Sequence, residues 1–209
     1  MTENENSISR LRIKIFADGA DKKNMMALSS NPLVEGFTTN PSLMSKAGIS
    51  DYRRFGISLT REIPSHPISF EVFADQFDEM ERQANEISSW GANVYAKIPI
   101  SNSRGERSGG LIRRLTKSGV RINVTAMTTL EQVQYVAEYM EDGPPAIVSM
   151  FAGRIADTGV DPVPIMAQAA RALDDYPHLE LLWASTREVL NIFQADSIGC
   201  DIITVTNDI

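Results

Sequence analysis

Lys97 interrupts an apolar run that reads Asn-Val-Tyr-Ala-Lys-Ile-Pro-Ile over residues 93–100. Side chains alternate between the two faces of a β-strand, so Lys97 would share a face with Tyr95 and lie opposite Ala96. A lysine in a strand is more often solvated than buried. The other interpretation is an amine kept inside the protein because it acts as a nucleophile. It does so only when uncharged, the form that burial favours.

Other chemically useful side chains also follow short apolar runs. Strands are predicted where runs rich in β-branched and aromatic residues are bounded by turn residues. The eight predicted strands are 11–18, 34–40, 67–73, 94–100, 121–126, 146–151, 179–185 and 201–206. Longer segments with apolar residues at helical spacing lie between them, and 75–90 and 130–140 are predicted helices.

Capping residues mark the ends of these segments. Thr128 and Glu131 have capping-box spacing before the helix at 130–140. Gly119 and Gly199 are predicted to end helices where the next strands begin. The alternation of strands and helices predicts a parallel sheet with right-handed crossovers.

Eight strands fit either a closed barrel or an open doubly wound sheet. A dinucleotide-binding sheet would carry a Gly-x-Gly-x-x-Gly turn after its first strand, and residues 17–24, Ala-Asp-Gly-Ala-Asp-Lys-Lys-Asn, lack it. We therefore predict an α/β fold, a parallel eight-stranded (β/α)8 TIM barrel, as one domain over residues 1–209 with a polar tail at 1–10. Few residues follow the eighth predicted strand, so the last helix is predicted to be missing or reduced.

Composition argues against several classes of function. A net charge of −7 and a pI near 4.9 argue against a nucleic-acid-binding surface, which needs clustered Lys and Arg. Cys200 is the one cysteine, and the distant His66 and His178 give no zinc-ligand spacing. The polar N-terminus has no apolar signal segment, and no apolar stretch reaches membrane-spanning length. We predict a cytoplasmic protein with no nucleic-acid or membrane partner.

Active sites of such barrels lie at the rim where the carboxyl ends of the strands meet. Polar residues at the predicted strand ends, and in the loops that follow, would converge there. They are Asp18, Thr38, Asn40, Glu71, Lys97, Asn123, Thr125, Ser149, Arg154, Ser185 and Arg187, with Phe151 among them. Two carboxylates near a lysine can divide proton transfers between them. Two arginines offer planar donors to a phosphate, a sulfonate or a carboxylate.

Five segments near these strand ends resemble one known family. They read GFTTNPSLMSKAG, VYAKIPIS, RINVTAM, VSMFAGRIADTG and LLWASTR, in that order along the chain. From about Leu11 to the C-terminus the sequence resembles transaldolases and the related small fructose-6-phosphate aldolases. The resemblance implies a class I aldolase barrel that works through a lysine Schiff base without a metal or an organic cofactor.

The resemblance also implies residue roles. Lys97 matches the Schiff-base lysine, and Asp18 matches the aspartate that handles protons. Glu71 matches the glutamate that positions a catalytic water, and Thr125 the threonine beside that water. The asparagines match residues that contact hydroxyls near the imine, while the arginines and the serine after the seventh strand match the phosphate-binding set. The predicted substrate-binding residues are Thr38, Asn40, Asn123, Ser149, Phe151, Arg154, Ser185 and Arg187.

Two positions bear on the reaction type. At Phe151 the transaldolases carry phenylalanine and the aldolases tyrosine, whose hydroxyl could hold the water that releases the enamine. At Glu71 the aldolases carry glutamine. The predicted function is therefore transfer of a dihydroxyacetone unit from a ketose phosphate to an aldose phosphate. The alternatives are a lyase that releases free dihydroxyacetone and a sugar-phosphate-binding barrel without turnover.

Structural roles compete with these functional ones. Asp18 would also serve as a cap or turn residue for the next helix, and Asn40 with Pro41 as a helix-starting turn. Arg154 and Asp157 would form a surface ion pair. A missing last helix would expose apolar strand and helix surface, so a homo-oligomer is predicted.

Overall fold

Apolar runs rich in β-branched residues form a closed parallel barrel in the computed structural model, which describes residues 10–209. Each strand pairs with its sequence neighbours, and the eighth pairs with the first. The strands are β1 (Lys14–Asp18), β2 (Val34–Thr38), β3 (Ile68–Glu71), β4 (Val94–Pro99), β5 (Ile122–Met127), β6 (Ala146–Met150), β7 (Leu179–Trp183) and β8 (Ile202–Val205). The predicted TIM barrel is confirmed, and every strand lies within a few residues of its predicted bounds.

Helices separate consecutive strands, as the alternating pattern predicts. Within residues 10–209 they are α1 (Lys22–Leu28), α2 (Pro41–Lys46), α3 (Tyr52–Glu62), α4 (Phe77–Ser88), α5 (Gly109–Lys117), α6 (Leu130–Tyr139), α7 (Ala152–Ala156), α8 (Val163–Ala172) and α9 (Leu190–Ser197). None of these helices combines the length and the apolar character needed to span a bilayer. After β8 the described chain reaches Ile209 without another helix. Residues 1–9 of the predicted polar tail lie outside the described residues.

The capping box of α6 lies one residue later than predicted. Thr129 is the N-cap: its side chain accepts the Gln132 backbone N–H, and the Gln132 side chain accepts the Thr129 N–H. Gln132 Oε1 also accepts the Thr128 N–H at 2.8 Å. The prediction of Thr128 with Glu131 was wrong because Gln132 satisfies both backbone donors. Gly119 follows α5 with φ of 81°, as predicted for a helix end.

The chain itself covers part of the barrel wall beside β8. The backbone N–H of Ile13 donates to Asp196, at the end of α9, at 3.0 Å. Ile203, which faces outward from β8, is 0% exposed, so the strand surface predicted to be exposed is buried. Apolar exposure remains on the flanking helices, at Met26 of α1 (42%) and Leu190 of α9 (55%). The homo-oligomer stays a prediction.

The barrel interior is apolar in its amino-terminal half and polar in its carboxyl-terminal half. An apolar interior cluster is formed by Phe16, Tyr95, Ile147, Leu182 and Ile202. Interior positions repeat every two residues along a strand. The next interior residues on the same five strands are therefore Asp18, Lys97, Ser149, Ala184 and Thr204. The apolar cluster thus forms the floor on which the polar rim is built.

Candidate active site

Lys97 is the buried lysine of the barrel interior. Its side chain is 11% exposed, whereas that of Lys14, which pairs with Glu180 at the amino-terminal end of the barrel, is 43% exposed. Register places Glu71 of β3 directly beside Lys97 of β4. Lys97 Nζ lies 3.1 Å from Glu71 Oε2 and 3.5 Å from the Thr39 carbonyl oxygen. Glu71 therefore lies within hydrogen-bonding distance of the Lys97 amine and is placed to exchange a proton with it.

Asp18 ends β1 and faces the same interior. The Thr38 hydroxyl of β2 donates to Asp18 Oδ1 at 2.8 Å. Burial raises the pKa of Asp18, Lys97 and the Thr38 hydrogen bond oppose the rise, and Glu71 adds to it. The competing role as a helix cap is wrong, because Asp21 caps α1 by accepting the Asn24 N–H.

The two predicted asparagines are held differently. Asn40 Oδ1 accepts the Leu43 N–H at 3.0 Å and so caps α2, with Pro41 at its first position, as the structural reading predicted. Asn40 nevertheless lines the central cavity.

Asn123 lies wholly buried beside Lys97 in the strand register. Its Nδ2 donates to Ser69 Oγ at 3.0 Å, and its Oδ1 accepts from Ser149 Oγ at 2.7 Å. Ser149, predicted to contact substrate, therefore orients Asn123. One N–H of the Asn123 amide remains free for a substrate hydroxyl.

Thr125 lies two residues beyond Asn123 on β5, towards the carboxyl end of the barrel. It is 1% exposed, and within residues 10–209 its Oγ1 has no hydrogen-bond partner. The next residue, Ala126, has a positive φ of 66°, and the β5–β6 register shifts between Val124 and Met127. A left-handed backbone at a residue other than glycine is strained, and such strain is typical of functional sites.

The predicted anion-binding side is built from the loops after β6 and β7. Arg187 Nε donates to Asp157 Oδ1 at 2.9 Å and its Nη2 to Oδ2 at 2.5 Å. Its Nη1 donates to the Ser185 carbonyl at 2.7 Å. The predicted pair of Arg154 with Asp157 was wrong: α7 ends at Ala156, and Asp157 faces the next loop instead. Within residues 10–209 Arg154 has no ion pair.

Gly153 lets these two loops touch. A Cβ at this position would lie 1.6 Å from the Ser185 carbonyl oxygen, and Ser185 itself has a positive φ of 65°. Arg187 also lies against Gly153, with its Cζ 3.1 Å from the same Cβ position. The glycine therefore fixes where Ser185 and Arg187 enter the rim.

Gly153→Ala is expected to separate the loops, because backbone atoms cannot yield to the new methyl group. We expect a stability loss of about 1–3 kcal/mol, measured by thermal unfolding. Gly110→Ala is the matched control, since its nearest neighbour is a flexible Arg114 atom at 3.8 Å. Equal melting temperatures for Gly153→Ala and the wild type would contradict the assignment.

The candidate residues surround one cavity of about 660 Å³ at the carboxyl rim. It is lined by Asp18, Asn40, Glu71, Lys97, Phe151, Arg154, Ser185, Arg187 and further residues of the α2 and β8 loops. A smaller cavity of about 100 Å³ continues towards the floor and adds Thr38, Asn123, Thr125 and Ser149. Every predicted site residue thus lines one of two cavities that share Asp18, Asn40 and Lys97. A separate cavity of about 550 Å³ on α3 contains none of them.

Lys46 and Thr204 are among the lining residues that the sequence analysis missed. Lys46, in the last turn of α2, lines the larger cavity and has no ion pair within residues 10–209. Thr204 of β8 lines both cavities. The alternation of the predicted strand 201–206 gives the signal for Thr204, two residues after Ile202. Lys46 has a weaker signal, its place in the segment GFTTNPSLMSKAG.

A family model described as transaldolase/fructose-6-phosphate aldolase matches residues 15–209. The chain belongs to this family. A "probable transaldolase" of Chelativorans sp. (strain BNC1) is 36% identical over 197 residues, covering 92% of this chain and 85% of that one. A second "probable transaldolase", from Dehalococcoides mccartyi, is 33% identical over 194 residues, covering 92% and 86%. The geometry above therefore belongs to a transaldolase/fructose-6-phosphate aldolase barrel.

Solved structures that resemble this family member are distant in sequence. A putative phosphonomutase from Burkholderia cenocepacia J2315 matches with a TM-score of 0.65 at 13% identity, covering 97% of this chain and 90% of that one. Dihydrodipicolinate synthase from Rhodopseudomonas palustris matches with a TM-score of 0.62 at 14% identity, covering 92% and 69%. At this identity the matches bear on the barrel fold alone.

Proposed function

We propose that this protein transfers a dihydroxyacetone unit from a ketose phosphate to an aldose phosphate through a Schiff base on Lys97. The observation that carries the proposal is the buried Lys97 amine, 3.1 Å from Glu71 in a cavity that also contains Asp18 and Arg154. Membership of the transaldolase/fructose-6-phosphate aldolase family supports the same chemistry.

Imine formation is assigned to Lys97 and Glu71. Glu71 takes the proton from the ammonium, and the free amine attacks the ketone carbon. The resulting carbinolamine loses water, for which Glu71 returns a proton to the departing hydroxyl. The Thr125 hydroxyl, which has no hydrogen-bond partner within residues 10–209, is assigned to holding that water.

Carbon–carbon cleavage is assigned to Asp18. Its carboxylate takes the proton of the substrate hydroxyl beside the scissile bond, the C–O bond becomes a carbonyl, and the bonding electrons move to the iminium nitrogen. The product is an aldehyde and an enamine on Lys97. An acceptor aldehyde reverses the step: the enamine carbon attacks its carbonyl, and Asp18 returns the proton to the oxygen. Hydrolysis of the new imine releases the longer ketose.

The substrate phosphate is assigned to Arg154, Arg187 and Ser185. Three of the five N–H donors of Arg187 are occupied by Asp157 and the Ser185 carbonyl, so two remain for an anion. Arg154 and Lys46 contribute unpaired positive charge to the same cavity. With Asp157 included, the four charged groups sum to about +2, which complements a phosphate dianion.

Arg154→Leu is expected to raise KM for fructose 6-phosphate by roughly 10- to 100-fold, because a charge-assisted hydrogen bond is worth about 1.5–3 kcal/mol. Borohydride trapping of unphosphorylated dihydroxyacetone should be unchanged. Arg171→Leu, in the last turn of α8, is the control with the same loss of charge. An unchanged KM would remove Arg154 from the phosphate site.

Phe151 is the residue on which transfer rather than cleavage depends. It lines both cavities beside Lys97 and brings no hydroxyl to the site. Phe151→Tyr is expected to increase release of free dihydroxyacetone without an acceptor by about tenfold, since a new hydroxyl can hold water against the enamine. Phe73→Tyr, at an exposed loop position, is the control. Equal release by wild type and Phe151→Tyr would contradict this role.

The test of the whole proposal is covalent trapping. The protein is incubated with fructose 6-phosphate, reduced with borohydride, and measured by intact mass and peptide mapping. We expect a dihydroxyacetone adduct on the peptide that contains Lys97, and its transfer to an aldose phosphate when the acceptor precedes the borohydride. Reversible sugar-phosphate binding without an adduct would establish the binding barrel instead.

A further inference from the structure

Two threonine hydroxyls, on the two strands that flank β1, extend a chain of hydrogen bonds from Asp18. Thr38 Oγ1 of β2 donates to Asp18 Oδ1 at 2.8 Å and lies 2.6 Å from Thr204 Oγ1 of β8. Thr38 is 3% exposed and Thr204 is 7% exposed. β2 and β8 are the strands on either side of β1, so the chain of oxygens crosses the point where the barrel closes.

The direction of these hydrogen bonds follows from counting hydrogens. An ionised carboxylate only accepts, and a threonine hydroxyl has one hydrogen to donate. The Thr38 hydrogen is engaged by Asp18, so the contact between the two threonines requires Thr204 to donate. While Asp18 is ionised, the hydroxyl of Thr204 therefore points away from the cavity and towards Thr38.

The order reverses when Asp18 holds a proton. The protonated carboxyl donates to Thr38, Thr38 then donates to Thr204, and the hydrogen of Thr204 is released towards the cavity that this residue lines. The reversal needs two hydroxyl rotations and moves no proton between the threonines. Both protonation states of Asp18 thus keep the two hydrogen bonds of the chain, Asp18 with Thr38 and Thr38 with Thr204.

We propose that Thr204 is a positioning residue that acts through Thr38 to hold the Asp18 carboxyl group in both protonation states. The inference rests on the proposed function, in which Asp18 takes a proton in the cleavage half-reaction and returns it in the addition half-reaction. It also gives Thr38 a role other than the predicted substrate contact, because its hydrogen and its oxygen are both engaged.

Other charges face Asp18 and set the background for a test. Lys97 of β4 favours its ionised form and Glu71 of β3 opposes it. Lys46, Arg154 and Arg187 line the same cavity. These groups stay in place when a threonine is replaced, so a change in the titration of Asp18 reports the hydroxyl chain. The Thr38 hydrogen bond stabilises the charged carboxylate more than the neutral acid, and its loss raises the pKa of Asp18.

The experiment is the pH profile of kcat/KM, which reports groups on the free enzyme. Thr38→Val is expected to move the acid limb up by roughly one pH unit. Thr204→Val should move it in the same direction by about a third of that, because a hydrogen-bonded chain strengthens each bond by about 10–30%. Thr204→Ser keeps the hydroxyl and should coincide with the wild type. Thr204→Ala, which cannot overfill the site, is measured beside Thr204→Val.

Coupling between the two threonines decides the outcome. Because Thr204 acts through Thr38, the double variant should coincide with Thr38→Val alone. A wild-type profile for Thr204→Val and Thr204→Ala, or the same shift with and without Thr38, would overturn the proposal. Borohydride trapping on Lys97 should persist in every variant. Absence of trapping in the wild type is the separate result that defeats the proposed function.

Discussion

Replacing Lys97 by methionine removes the covalent path, and we expect borohydride to trap no ketose on the variant. Turnover should fall by on the order of 10⁴- to 10⁶-fold, the range seen when a covalent nucleophile is removed. The physical reason is that Lys97 is the one lysine whose amine lies inside the barrel beside a carboxylate, within residues 10–209. Intact mass after reduction measures the loss directly.

Two controls make the Lys97 result specific. Lys117→Met removes an exposed lysine at the end of α5 and should leave trapping unchanged. Lys97→Met leaves Glu71 without its ion-pair partner, which destabilises a partly buried carboxylate. The double variant Lys97→Met/Glu71→Gln removes that charge and separates misfolding from lost chemistry. An adduct that persists in either Lys97 variant would show that another amine forms the imine.

Asp18→Asn is expected to stop the reaction after the imine has formed. An amide cannot take the substrate proton, so carbon–carbon cleavage should slow by about 10²- to 10⁴-fold. Imine formation depends on Lys97 and Glu71 and should continue. The variant is therefore expected to yield a borohydride adduct with the mass of the whole ketose rather than of dihydroxyacetone. A dihydroxyacetone adduct formed at the wild-type rate would assign the proton transfer elsewhere.

The pH dependence of kcat/KM in the wild type should also reflect the proton transfer assigned to Asp18. Burial raises the pKa of Asp18, although Lys97 and Thr38 counteract part of the rise. As a base Asp18 works only when ionised, so kcat/KM should increase with pH through an acid limb above the ordinary value of about 3.9. Asp18→Asn should lose this limb from its residual activity.

Ionised Asp18 is expected to be needed for activity but to lower the free energy of unfolding. A folded-state pKa above that of the unfolded chain means that the ionised carboxylate destabilises the fold at higher pH. That destabilisation disappears as the pH falls through the raised pKa. Asp18→Asn should therefore melt at a higher temperature than the wild type near neutral pH and lose this advantage in acid. A variant that gains stability while losing cleavage would show that the site is built against the preference of the fold.

The residues of the carboxyl rim could be predicted because consecutive strands lie side by side in a parallel barrel. Residues near the ends of successive strands are therefore neighbours in the structure. Lys97 and Glu71 are distant in sequence, yet Glu71 ends β3 and Lys97 lies near the end of the adjacent β4, so their contact follows from the strand order. The same alternation would have found Thr204, had it been applied to the last strand. The fold and most lining residues were accessible for this reason.

The sequence did not predict which hydrogen-bond or ion-pair partner each polar side chain has in the structure. Asp157 is three residues from Arg154 but pairs with Arg187, because α7 ends before Asp157. Asn40 serves as a helix cap and a cavity residue at once, two roles that residue type alone presents as alternatives. The capping box lies one residue later than predicted because the Gln132 side chain accepts hydrogen bonds from the backbone N–H groups of Thr128 and Thr129. These pairings depend on the paths of the loops. The periodicity of apolar residues along the sequence carries no information about those paths.

The packed floor of Phe16, Tyr95, Ile147, Leu182 and Ile202 closes the amino-terminal end of the barrel interior. A molecule therefore reaches the Lys97 amine from the carboxyl rim. A molecule that enters to reach this amine also leaves through the carboxyl rim. In the proposed reaction the first aldehyde would therefore leave through the carboxyl rim before the second enters, while the enamine stays bound to Lys97. Ping-pong kinetics would follow from that covalent enamine, and the blocked end of the barrel adds competition between the two aldehydes for one entrance.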